Sequence, residues 1–301
     1  MKTIRNLIHL CLLTATLGTL PESVVAQIYV TSIGNGTVGA YNFDGSAINA
    51  SLISGLNAPW GLAVSGGNLY VASGNSFNST IGQYTTAGST VNASLVSGLN
   101  HPFGLTASGG NLFVAVPNNS AISEYTTAGA TVNDSLVSGL GWDLGVAAYG
   151  GDIYVANNGN GTIGKYDATT GAAINAALVS GLSGPIGLAV AGGDLFVANH
   201  NDDTIGEYDA TTGATINAAL VSGVNNYPWG LAVSGGDLFV ASYNAGTIGE
   251  YDATTGATIN AALITGLSGP AFIEVQPVPE PATLALVGLG AASLLAVRRR
   301  K

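Results

Sequence analysis

The sequence is poor in three things: cysteine, positive charge and long hydrophobic runs. The only cysteine among its 301 residues is Cys11, so no intrachain disulfide holds the fold. Charged residues make up 8% of the chain, about a third of the usual ~25%. Of the seven bases, Lys2 and Arg5 open the chain and Arg298, Arg299, Arg300 and Lys301 close it, leaving Lys165 alone between them. Fifteen of the 17 acids lie in 27–277. Phosphate recognition needs clustered Lys and Arg, so nucleic-acid and anionic-membrane partners are excluded for this body. Long apolar runs occur only at the two ends, which excludes a many-helix transporter. What is plentiful is glycine, 44 residues, and apolar side chains, 47%. That hydrophobicity excludes intrinsic disorder, and the glycines keep no three-residue period, which excludes collagen.

Both ends read as addresses. Residues 1–26 have the layout of a secretory signal peptide: Lys2 and Arg5, an apolar core from Leu7 to about Leu20, then Val24-Val25-Ala26. Cleavage is expected between Ala26 and Gln27. Cys11 lies inside that core, and Ile8-His9-Leu10 lacks the small residues that precede a lipidated cysteine. The mature chain is then cysteine-free. At the other end, Val278-Pro279-Glu280-Pro281 precedes sixteen mainly apolar residues, Ala282 to Val297, and the terminal bases Arg298, Arg299, Arg300 and Lys301. As a helix the apolar part would span roughly 24 Å, a short transmembrane segment, with its basic end in the cytoplasm. An ordinary C-terminal anchor helix would share those properties. The Pro-Glu-Pro start makes residues 278–301 resemble the PEP-CTERM sorting signal. That resemblance implies an exosortase-type membrane protease as partner, and delivery to the cell surface or extracellular polymer of a Gram-negative-type cell. Membrane contact is expected only through this segment, before processing.

The middle, 27–277, is repetitive. An aromatic-Val element recurs six times, at Ile28-Tyr29-Val30, Leu69-Tyr70-Val71, Leu112-Phe113-Val114, Ile153-Tyr154-Val155, Leu195-Phe196-Val197 and Leu238-Phe239-Val240. Gly61, Gly104, Gly145, Gly187 and Gly230 follow one another at intervals of 43, 41, 42 and 43 residues. Each repeat reads as four short strands; in the second they are expected near 61–64, 69–72, 80–84 and 91–97. Four strands in about 42 residues is the length of a β-propeller blade. Inner strands such as Leu62-Ala63-Val64 are continuously apolar, as burial on both faces requires, and small, as convergence on an axis requires.

The ends decide the blade number. Gln27 enters at a second strand, and Pro270-Ala271-Phe272-Ile273-Glu274-Val275 is a first strand without a repeat. Joining them completes one blade and removes an exposed edge. The expectation is an all-β, six-bladed propeller rather than a seven-bladed one. Its blades are about 27–60 plus 271–275, 61–103, 104–144, 145–186, 187–229 and 230–270. The Pro-x-Gly-Leu-Ala-Val, Gly-Gly, Leu-Tyr/Phe-Val-Ala series resembles the NHL-type propellers and the related gluconolactonase and streptogramin-lyase propellers. These motifs imply a shape rather than a reaction, and the basic faces of RNA-binding NHL proteins are missing here.

The unusual residues gather in two sets of loops that share one propeller face. Loops leading into first strands carry Trp60, His101, Phe103, Trp142, Asp143, Tyr227 and Trp229, and the loops between second and third strands carry Tyr243 and the run His200-Asn201-Asp202-Asp203. Aromatic rings beside Asn, Asp and His suit a neutral ligand such as a sugar. The competing role for Trp60, Phe103 and Trp229 is to plug the blade junctions. A metal-assisted lactonase- or lyase-like hydrolase is the alternative function, with His101 and Asp143 as base and orienter, or with His200, Asp202 and Asp203 around a cation. Against it, the two histidines of the body have no ligand spacing, and Glu274 is the only acid on an innermost strand. No cofactor is expected. Asp167, Asp209 and Asp252 begin Asp-Ala-Thr-Thr-Gly turns, where an Asx hydrogen bond is the expected role. Glu124, Lys165, Glu207 and Glu250 share one third-strand position, and Lys165 is expected to pair with a glutamate of a neighbouring blade. The leading reading is an exported surface or matrix binding module.

Overall fold

The computed structural model describes residues 27–224 and 227–276, apart from the Asp143 side chain. The expected signal peptide, its Ala26 cleavage position and the tail with Pro279, Glu280, Pro281, Arg298, Arg299 and Arg300 lie outside the described residues. The described chain forms six four-stranded antiparallel sheets, each a blade, and in five of them the strands run in sequence order. Blade 2 is Pro59–Ser65, Asn68–Ser73, Ser79–Thr85 and Thr90–Leu99. Blades 3 to 6 begin with Leu105–Ser108, Asp143–Tyr149, Pro185–Ala191 and Pro228–Ser234. In blades 2 to 6 a Gly-Gly hairpin joins the first and second strands, since only residues free to take positive φ close such tight turns without strain.

Blade 1 is assembled from both ends of the described chain. Its first strand is Pro270–Gln276, which pairs with Gln27–Ser32 in the register Ile28↔Val275, Tyr29↔Glu274 and Val30↔Ile273. The seam is tied to its neighbour as well. Thr31 Oγ1 accepts a bond from the Phe272 N–H at 2.9 Å and donates to the Trp60 carbonyl at 2.9 Å.

Second strands are buried along nearly their whole length in every blade. Fourth strands are mostly exposed and form the rim. An exposed strand edge invites pairing with another chain, and here each one is blunted in the same way. The side-chain oxygens of Asn49, Asn92, Asn133, Asn175, Asn217 and Asn260 accept the backbone N–H two residues further on, at 3.0–3.1 Å. The ladder to the third strand shifts register beside these positions, so each edge is kinked by a bulge.

The Asx turns are present. Asp167, Asp209 and Asp252 each accept two threonine N–H groups and a threonine hydroxyl, and these bonds hold the carboxyls below their ordinary pKa. Lys165 departs from expectation. Its ammonium pairs with Asp152 of its own blade at 3.1 Å, not with a neighbouring glutamate. The neighbouring blade offers it the Ala210 carbonyl instead, at 3.4 Å. Burial works against the charged lysine, but Asp152 and Tyr154 outweigh it and raise its pKa.

Candidate functional site

Each first strand is led in by one residue in the left-handed region: Ala58, His101, Trp142, Gly184, Tyr227 and Gly269, all with φ between 46° and 66°. Five of these six are held by the same bond. The carbonyls of Ala58, Trp142, Gly184, Tyr227 and Gly269 accept the N–H of Gly74, Asn158, His200, Tyr243 and Ile33 at 3.0–3.2 Å. Those donors start the loops between second and third strands, so the two loop sets share one face. At the sixth place the equivalent of the donor is Pro117, which has no N–H to give.

Trp142 and Tyr227, at the left-handed turn itself, are 53% and 43% exposed. One position after the proline, or its equivalent Asp143, come Trp60, Phe103, Leu144, Ile186, Trp229 and Ala271. These belong to a single hydrophobic cluster fed by all the blades. From it the aromatics build a continuous pile: Tyr243 on Trp229 at 4.3 Å between centroids, Trp229 on Trp60 at 5.2 Å, and Trp60 on Phe103 at 4.5 Å. His101 meets Trp60 edge-on at 5.9 Å, and Phe272 meets Phe103 edge-on at 5.7 Å. The eight candidate residues therefore divide. Trp60, His101, Phe103, Trp229 and Tyr243 make an inner stack, while Trp142 and Tyr227 stand outside it. Asp143 pairs with Asn157 at the head of its strand, and its side chain lies outside the described residues.

The stack is polar at its edges. Trp60 Nε1, Trp229 Nε1 and His101 Nε2 are buried with no hydrogen-bond partner among the described residues. An unmet buried N–H costs about 1–3 kcal/mol, so these atoms mark where an acceptor belongs. Burial also lowers the His101 pKa, keeping the imidazole neutral at pH 7.

His200, Asp202 and Asp203 are turned to separate partners. The His200 ring bonds the Gly184 carbonyl, Asp202 accepts from Ser183 Oγ at 2.8 Å, and Asp203 accepts from the Tyr227 N–H at 2.9 Å. They lock the loops that present Tyr227. Among the described residues no three His, Cys, Asp or Glu side chains gather as a metal cluster.

Between the blades runs a cavity of about 170 Å³, lined by first strands of all six blades. Phe272 and Glu274 both line it, and its other lining side chains are apolar apart from Thr106. Glu274, noted in the sequence as an exception, is joined here by Phe272, which sequence reasoning missed. The available signal was simple: Phe272 is the one bulky residue at a repeat position that is glycine at Gly61, Gly104, Gly145, Gly187 and Gly230.

No curated protein matches the chain. Residues 277–301 match the PEP-CTERM protein-sorting motif. A chain from a nidogen/laminin complex superposes with TM-score 0.70 at 14% identity, over 83% of this chain and 98% of that one. A protein of unknown function from Bacteroides caccae gives 0.63 at 13%, over 83% and 98%. The computationally designed Ika8 protein gives 0.50 at 16%, over 83% and 75%. At such identities the likeness carries the fold and nothing about ligands. The chain is thus a six-bladed β-propeller followed by a PEP-CTERM sorting motif, and that motif implies export and processing by an exosortase-type membrane enzyme.

Proposed function

We propose that this propeller is a binding module of the cell surface or extracellular matrix, and that its aromatic face takes a neutral, hydroxyl-rich ligand of the polysaccharide class. The observation that carries the reading is the set of three unpartnered buried N–H or ring-nitrogen positions on Trp60, Trp229 and His101. Sugar hydroxyls supply acceptors and donors for such edges, and the exposed rings of Trp142 and Tyr227 supply faces on which a pyranose can stack. The acidic character of the body favours a ligand without negative charge.

A glycan panel tests this with variants that leave the packing intact. Trp229→Phe keeps the stack but deletes the indole N–H, and Trp142→Ala removes an exposed ring. Each should weaken binding about tenfold, the equivalent of one hydrogen bond or stacking contact, with an unchanged melting temperature. A panel without any ligand, or affinities indifferent to both variants, would defeat the proposal. Lactones belong on the same panel. Turnover that chelator abolishes and His101→Ala removes would establish the hydrolase instead.

The address has its own test. Deleting 277–301 should move the protein from the cell-surface fraction to the medium. Unchanged surface retention would mean that another segment anchors it.

A further inference from the structure

At every blade junction a second-strand aromatic faces the next blade: Tyr29, Tyr70, Phe113, Tyr154, Phe196 and Phe239. Directly across the ladder stand Ala40, Gln83, Glu124, Lys165, Glu207 and Glu250. On the third strand, glutamate is opposite every one of these Phe residues and opposite none of the Tyr residues. The tyrosine hydroxyls show what is exchanged. Tyr29, Tyr70 and Tyr154 donate to the carbonyls of Thr86, Thr127 and Ala210 at 3.4, 3.3 and 2.8 Å. All three acceptors hold the same turn position in the next blade. At the phenylalanine junctions the equivalent carbonyls belong to Ala168, Ala253 and Phe43, and phenylalanine brings them no donor.

A second residue shares this face, the one that opens the second strand and lies diagonal to the third-strand position. On one sheet face such diagonals are within side-chain reach, and two of them are seen in contact. Asn111 donates to Glu124 at 2.7 Å, and Asp152 pairs with Lys165 at 3.1 Å. In blades 5 and 6 the same diagonal carries two acids, Asp194 with Glu207 and Asp237 with Glu250. Glu207 is 6% exposed. Among the described residues no hydrogen bond or ion pair reaches the carboxyl of either glutamate. Burial, then the like charge of Asp194 or Asp237, pushes both glutamates above their ordinary pKa. Asp209 and Asp252, directly opposite Asp194 and Asp237, are acids too, each bound to its own turn. Glu207 is buried and Asp194, Asp237 and Glu250 are half-buried, and acids set side by side with no base in contact are unfavourable.

We propose that the junctions of blade 5 with 6 and of blade 6 with 1 each bind a divalent metal cation. Asp194, Glu207 and the Ala253 carbonyl would hold one, and Asp237, Glu250 and the Phe43 carbonyl the other. The junction of blades 4 and 5 shows where positive charge sits in this arrangement. There the Lys165 ammonium contacts both the Asp152 carboxylate and the Ala210 carbonyl, the repeat equivalents of the proposed ligands. The chain supplies its own cation once and leaves two acids at the next two junctions. All-oxygen donors select a hard ion, Ca²⁺ before softer metals, with water completing its shell. The second site clamps the seam where the two ends of the propeller meet.

The full chain, purified in detergent and stripped with chelator, is titrated with CaCl₂ by calorimetry, and its melting temperature is followed. Two Ca²⁺ per chain are expected, together with a rise in melting temperature. Glu207→Gln and Glu250→Gln should each lose one ion, and the double variant both, with unchanged circular dichroism. Glu207→Lys, which copies the Lys165 junction, should bind one ion and stay stable in chelator. Absence of Ca²⁺, Mg²⁺ and Mn²⁺ binding up to about 10 mM, beyond the weakest extracellular calcium modules, would overturn the proposal. So would two ions still bound by the double variant. A melting temperature that rises only on acidification and ignores every divalent ion would assign each acid pair a shared proton, which also overturns it.

Discussion

Gly187→Ala should destabilise the propeller by more than about 3 kcal/mol, or prevent its folding. The reason is contact between backbones, not conformational freedom. A Cβ on Gly187 would run into the carbonyl of Trp229 on the next first strand, and one on Gly145 would meet the carbonyl of Ile186. Gly61, Gly104 and Gly230 face the carbonyls of Phe103, Leu144 and Ala271 in the same way. Overpacking a core costs about 1–3 kcal/mol when side chains can swing aside. A carbonyl held in a closed ring of six strands has nowhere to go, so the cost should exceed that range. Ala189→Gly on the same strand is the control, expected at about 1 kcal/mol. Urea unfolding of both variants checks the contrast, and a Gly187→Ala protein within 1 kcal/mol of wild type would refute the close approach.

Glu274→Gln should act in the opposite direction and depend on pH. Burial in the channel pushes the Glu274 pKa from 4.5 up to about 8, and no other ionisable group lines that cavity. The folded-state pKa is raised, so folding favours the protonated carboxyl. The stability tied to that proton is complete below the unfolded value near 4.5 and is lost as pH rises through about 8. Each pKa unit corresponds to about 1.4 kcal/mol. Glutamine, neutral at every pH, should therefore gain about 4 kcal/mol on wild type between pH 4.5 and pH 8, because the cost of burying its amide is the same at both. Chemical denaturation across that range is the measurement. Parallel pH profiles for the two proteins would show that Glu274 is solvated and ordinary.

The two effects belong to one spoke of the wheel. Five first strands give up their side chain at the crowded position, and the sixth, Pro270–Gln276, fills the axis with Phe272. Two residues later the same strand places Glu274 where the others have alanine or Thr106. The strand that closes the ring is also the one that makes its centre asymmetric.

Much of this was legible from residues alone, for an identifiable reason. A repeat of four strands states its fold six times over, so chance agreement at one copy is outvoted by the others. The expected strands of the second repeat fall within Pro59–Ser65, Asn68–Ser73, Ser79–Thr85 and Thr90–Leu99, displaced by at most two residues at the ends. Features that break the repeat were harder to place. Trp60 and Trp142 stand near one another in repeat position, and the sequence alone groups them as one mouth. In the structure Trp60, one residue past the proline, is packed into the axial stack, and Trp142, at the left-handed turn, faces solvent, while His101 at that same turn position meets Trp60 edge-on. The partner of Lys165 is likewise not legible from repeat position. Neighbouring-blade glutamates share its repeat position, but the diagonal on its own sheet brings Asp152 within 3.1 Å first.

By itself, then, the sequence determined the architecture, the closure of the ring by its two ends, and the sorting motif, since each is written in local pattern or in repetition. Tertiary structure alone decided which aromatics stack, which nitrogens are left without partners, and which acids meet without a base. Those depend on distances between side chains from different blades, and repeat position fixes a residue's place on its own strand without saying what the next blade sets against it.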